Sequence, residues 1–259
     1  MGCDIHFYVE KKIDGVWTLV YPETLVEIRD EAAEIVEYYK NDPEKQAKRQ
    51  ALYNSFPGKW VDSYEEWDEI YKQKRSSAMY VGRNYNLFAI LADVRNGRGF
   101  AGVKTGEGFN PIADPKGIPE DASVGYRWEA DRWEADGHSH SWFTVQELLD
   151  YDWNQTTRLQ GWVGPSSYIT FKEKGSPDGW CGAIMGPGIS HVSNEEMEKY
   201  ISSNPPKSDP YDRVANVYTL VSWEKSYAEC AESFLTETLP ALQQLGDPNE
   251  VRICFFFDN

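Results

Sequence analysis

Cys3, Ile5, Phe7 and Val9 alternate with Asp4, His6, Tyr8 and Glu10 at the start of the chain. A period of two is the signature of a strand with one face on a core. The first set is an unbroken apolar row. The second places a carboxylate, an imidazole and a phenol about 7 Å apart along one face. Asp14-Gly15 is a short-turn signal, and Val16 to Val20 reads as the returning strand of a hairpin. At the other end, Val251 to Asn259 is apolar at consecutive positions, the pattern of a central strand buried on both faces.

Between these strands the period lengthens. Leu25, Ile28, Ala32, Ile35, Val36 and Tyr39 predict a helix over 24–40, ended by Asp42-Pro43. A second helix is expected over 44–53. Ser63 and Glu66 form a capping box for a third, so 24–76 reads as a helical insertion. Asn84 caps a buried helix carrying Leu87, Phe88, Ile90, Leu91 and Val94, with Arg95 at its end. Thr144/Glu147 and Ser193/Glu196 are further capping boxes. Val214 to Trp223 reads as a strand, and Tyr227 to Leu245 as a helix kinked at Pro240. The fold expected is a single α/β or α+β domain over 1–259. Its mixed sheet holds both terminal strands at the centre, with helices packed on it.

Two stretches are set apart by glycine. Residues 96–123 form a long Gly- and Pro-rich loop, of the kind that serves as a lid or binding loop. Residues 161–192 are also Gly-rich, yet contain neither a dinucleotide fingerprint nor a phosphate-binding P-loop. Residues 127–136 repeat Arg-Trp-Glu-Ala-Asp twice, a local duplication.

At 41% hydrophobic and 26% charged residues over 259 positions, the composition is that of a globular chain with a substantial core. The net charge of −16 argues against bulk nucleic-acid binding but leaves room for a small anionic ligand. The 10 Trp, 16 Tyr and 11 Phe either fill the core or supply stacking surfaces for a pocket or an oligomer interface. Cys3, Cys181, Cys230 and Cys254 are widely spaced and read as reduced, partly buried thiols. With no apolar run of membrane-spanning length and no signal-peptide pattern, the cytoplasm is expected.

The histidines are His6, His138, His140 and His191. Asp4-x-His6 and His138-x-His140 each project from one face of an extended segment. If the pairs converge, Asp4, His6, His138 and His140 make a ligand set for a divalent zinc, manganese or iron ion, which could activate water for hydrolysis. The alternative is a polar turn at 138–141 and a core histidine at 6. Cys3 faces away from His6 and reads as an inert core thiol. A second constellation joins Arg83, Asn84, Tyr85 and Arg95, with Arg98 near the loop. Helix starts after Asn84, Thr144 and Ser193 could take phosphate oxygens, and Tyr8 or Trp142 could stack on a base. The alternative for each arginine is a salt bridge in an acidic protein.

Four segments carry a resemblance: Met1-Gly2-Cys3-Asp4-Ile5-His6, the block Arg83-Asn84-Tyr85-x-Leu87-Phe88-Ala89-x-Leu91-Ala92-x-Val94-Arg95, the run His138-Ser139-His140-Ser141-Trp142, and Phe257-Asp258-Asn259. Together they resemble a widespread group of bacteriophage and prophage proteins. The resemblance implies a phage-encoded accessory protein in the cytoplasm of the infected host, and carries over no catalytic residue. Two functions are expected. One is a counter-defence protein, oligomeric, that sequesters a small nucleotide-derived ligand through His6, Tyr8, Arg83, Asn84, Tyr85, Arg95, His138, His140 and Trp142. The other is a metal-dependent hydrolase of a phosphoester or glycosidic bond in such a ligand, acting through Asp4, His6, His138 and His140.

Overall fold

The first and last strands lie side by side in the middle of one sheet. In the computed structural model, which describes residues 2–20, 26–28, 59–61, 79–80, 82–133, 135–204 and 216–258 with the single positions 43 and 47, strand β1 (Ile5–Ile13) turns into β2 (Val16–Leu19) through Asp14 and Gly15, both at positive φ (50° and 83°). That geometry matches the twist of paired strands and suits Asp-Gly. β5 (His138–Thr144) and β9 (Val251–Phe257) complete a four-stranded sheet ordered β2-β1-β9-β5. β1 and β9 run antiparallel from Ile5 opposite Phe257 to Lys11 opposite Val251. Both end strands are therefore central, as expected, and all seven positions of β9 are buried. This sheet is antiparallel throughout, which corrects the expectation of a mixed one.

Helices cover it on both sides. Helix α1 (Tyr85–Ala92) belongs elsewhere in the fold, but α2 (Val124–Arg132), whose first turn is capped by Ser123, lays Tyr126 and Ala130 on Leu19, Cys254 and Phe256. The Tyr126 hydroxyl reaches through to the carbonyl of Phe255 (3.3 Å), and burial raises its pKa. On the opposite face Phe7 meets Tyr80 and Phe234 at ring distances of 5.8 and 6.4 Å, and Phe143 and Phe255 stack at 6.0 Å. Burial first, then Glu232, pushes Tyr80 up to about 12. Short helix α3 (Val145–Asp150) follows β5 directly, held by the Thr144/Glu147 capping box.

The chain divides into two compact units, and the sheet just described belongs to the one built from Cys3–Arg83, Ile112–Tyr151 and Glu232–Asn259. The other unit takes Met1–Gly2, Asn84–Pro111 and Asp152–Ala231. Its three-stranded sheet, β6 (Thr156–Val163), β8 (Val217–Ser226) and β7 (Ser190–Val192) in that order, pairs β6 with β8 antiparallel and β7 with β8 parallel. Mixed pairing is thus found here. α1, α4 (Pro165–Lys174), α5 (Asn194–Ser203) and α6 (Tyr227–Ala231) complete it. Segregated helices and mostly antiparallel strands place the protein in the α+β class.

Two expectations about helices change. Val26–Ile28 and Lys59–Val61 form a pair of short parallel strands, β3 and β4, so a helix does not run through 24–40. The Ser63/Glu66 capping box lies outside the described residues. The long helix expected from Tyr227 is broken before Pro240. Glu232 has φ 50°, a π-helical turn spans Phe234–Thr238, and a short α7 (Leu239–Gln243) follows. Pro240 cannot donate to the residue four back, and the wider π turn just ahead of it accommodates that missing bond.

Candidate functional site

The pairing of β1 with β9 brings the two ends of the chain together. Asp4 donates its N–H to Asp258 Oδ1 (2.9 Å), and Asp258 returns its own N–H to the Asp4 carbonyl (3.2 Å). The other Asp258 oxygen lies 3.2 Å from His6 Nε2. Asp4 is in turn gripped by Arg83, whose Nε donates to Oδ1 at 2.6 Å while a second arm reaches Oδ2. The acidic residue of the closing Phe257-Asp258-Asn259 is therefore the partner of the opening Asp4-Ile5-His6.

His6 stands on the face covered by α2. Its ring stacks on Phe256 (4.6 Å between centroids, 11° between planes) and meets Trp133 at 4.2 Å. From the other side of β9, His140 stacks on the same phenyl ring (4.9 Å, 22°). Tyr8 lies further along, 6.1 Å from Phe256, and its hydroxyl donates to Glu129 Oε2 on α2 (3.2 Å). Two of the three imidazoles of the expected metal cluster, His6 and His140, do come to one place, but Phe256 stands between them, about two strand spacings (~9.5 Å) apart. Zinc ligands lie about 2 Å from a shared ion. Among the described residues no group of three or more His, Cys, Asp or Glu side chains is placed to hold a metal ion. Asp4, His6, His138 and His140 thus do not assemble as a ligand set for zinc, manganese or iron.

The second pair departs from its expected geometry for a local reason. A β-bulge lies between His138 and Ser141, with Ser139 at φ 50°, so the period of two fails where His138-x-His140 relied on it. His138 bonds Ser139 Oγ through Nδ1 (3.0 Å), and its ring lies 6.1 Å from Phe257. The Nε2 atoms of His138 and His140 are buried and meet no hydrogen-bond partner among the described residues. Burial, and then the neighbouring His138, lowers the His140 pKa, with Asp131 opposing. Gly137 leaves the space these rings use: a Cβ there would stand 3.2 Å from Trp133 and 3.4 Å from both His140 and Phe256.

The remaining expected ligand residues are engaged. Asn84 caps α1, accepting from the N–H groups of Asn86 and Leu87 and donating to the Cys230 carbonyl (2.7 Å). Arg95 lies over Tyr85 (5.1 Å) and donates to the carbonyls of Gly2 and Gly99. The helix starts proposed for phosphate are occupied by their own caps, Asn84, Thr144/Glu147 and Ser193/Glu196. Trp142 carries Lys116 on its face at 4.3 Å. Asn84, Tyr85 and Arg95 belong to the unit containing β6–β8, whereas His6, Tyr8, Arg83, His138, His140 and Trp142 belong to that containing β1 and β9.

Cys3 is buried at 1% exposure, as its place in the apolar row requires, and none of the four cysteines is in a disulfide. Burial and the adjacent Glu10 push the Cys254 thiol well up. Trp133, Phe256, Glu129 and Asp258 were missed as site residues. Asp258 had a signal: antiparallel pairing of the two end strands sets it opposite Asp4. Trp133 is the tryptophan of the second Arg-Trp-Glu-Ala-Asp copy. No helix among the described residues is long and apolar enough to cross a membrane. No family model matches the chain, and neither a curated protein nor a solved structure matches it significantly.

Proposed function

We propose that the protein binds and holds a small nucleotide-derived ligand at the Phe256 stack, as a phage-encoded accessory protein acting against a bacterial defence signal in the host cytoplasm. The observation that carries this reading is the continuous run of rings from Trp133 through His6 and Phe256 to His140, rimmed by polar groups that remain partly open. His6 and Asp258 side chains keep 20% and 22% of their exposure, and Arg83 and Asp4 about half. A flat aromatic ligand gains stacking energy at such an edge, and the rim supplies the few oriented polar contacts that fix it. The resemblance to phage and prophage proteins supplies the setting. The hydrolase reading is weaker, because the four side chains it requires are divided by Phe256.

Purified protein incubated with ribonucleosides, their monophosphates, cyclic nucleotides and ADP-ribose derivatives should retain one of them and release it unchanged on heat denaturation. His6→Ala and Trp133→Ala should each weaken retention by about tenfold or more. Release of a cleaved product, with turnover lost in His6→Ala and His138→Ala, would establish the hydrolase instead. Retention of nothing would refute the binding reading.

A further inference from the structure

The charges around the stack select which part of such a ligand can be engaged. Asp4 and Asp258 form one end of the rim, and Glu129 and Asp131 project from α2. Among the described residues of this unit, Arg83 is held by Asp4, Lys116 by Glu147, Arg127 by the carbonyls of Pro119 and Glu120, Lys11 by the carbonyl of Leu245, and Arg252 by Glu10 and Asp121, while Lys12 lies over Trp17. A phosphate entering here would meet carboxylates first, in a protein of net charge −16. Like charges about 4 Å apart repel by ~1 kcal/mol in water and by several times more near a protein surface. A carboxylate oxygen instead accepts hydrogen bonds, and paired sugar hydroxyls donate them, as where an acidic residue holds a ribose.

We infer that the site takes a nucleoside moiety, with the ribose hydroxyls donating to Asp4 and Asp258, the base stacked at the Trp133–His6 edge, and any phosphates directed to solvent. This rests on the binding reading above and deepens it. Arg83 then acts as a positioning residue that holds Asp4.

Calorimetric titration with the ribonucleosides, their 5′-mono- and diphosphates and their 2′,3′-dideoxy counterparts tests it. The best ribonucleoside should bind within about threefold of its phosphorylated forms, and its dideoxy counterpart about tenfold more weakly or worse. Asp258→Asn should weaken the nucleoside. Asp4→Asn, which releases Arg83, should raise the affinity of the monophosphate relative to the nucleoside. Affinity that climbs with each phosphate, or a dideoxy counterpart that binds equally well, overturns this inference and leaves the binding reading standing. Failure of every member of the series to bind overturns both.

Discussion

Glu10 was placed by alternation on a polar face beside Asp4, His6 and Tyr8, yet its side chain has no exposure at all. α2 lies over that face, and the carboxylate is kept there by what surrounds it. Arg252 donates to Oε2 (2.6 Å), the Ser123 N–H to Oε1 (2.7 Å), and the Arg252 guanidinium lies 4.0 Å over Trp17 while also bonding Asp121. Removing one partner strands a buried charge. Glu10→Gln should cost about 3–5 kcal/mol of stability by urea unfolding, and adding Arg252→Met should recover part of that loss. A double variant as unstable as the sum of both singles would mean that the two are not coupled. The same limit applies to the candidate site. Period-two reading placed His6 and Tyr8 correctly, because β1 is regular. It failed at His138-x-His140, where Ser139 leaves the strand conformation, and it could not see Phe256 standing between two imidazoles.

Elements defined by local chemistry were legible. Asp14-Gly15, the Asn84 cap and the Thr144/Glu147 and Ser193/Glu196 boxes each specify their own geometry within a few residues. Elements that depend on distant partners were legible only where their own pattern was strong, as in the two end strands. The apolar spacing of 24–40 fits a helix, but Val26–Ile28 pairs with Lys59–Val61. Gly15 offers a clean test of the local kind. Its φ is 83°, and a Cβ would meet nothing within 4 Å, so only backbone conformation is at stake. Gly15→Ala should destabilise by about 1–2 kcal/mol in thermal or urea unfolding. Unchanged stability would show that the turn does not depend on the left-handed residue.

On the scale of the molecule, composition pointed to a globular chain with a substantial core but could not show its division into two units. Each is assembled from separated stretches, and the exchanges fall both within motifs, as at Arg83-Asn84, and inside the Gly- and Pro-rich loop, at Pro111-Ile112. Such units cannot be cut apart at one bond. The central position of β9 makes a sharper demand. A chain lacking 251–259 should show no cooperative melting transition and rapid proteolysis, since seven buried positions vanish from between β1 and β5. A truncated chain with an intact near-ultraviolet aromatic signal would refute this.

That position also bears on how the protein is made. A ribosome releases β1 first and its neighbour β9 only after some two hundred further residues have been polymerised. Through all of that time one edge of β1 lacks the strand that will cover it. The sheet can therefore close only once β9 has been made, and it closes slowly, because its defining contact joins residues some 240 positions apart. Until then an apolar row is open to neighbouring nascent chains. Fast synthesis at high concentration favours inclusion bodies, whereas slow synthesis with chaperones that shelter extended segments favours the native sheet.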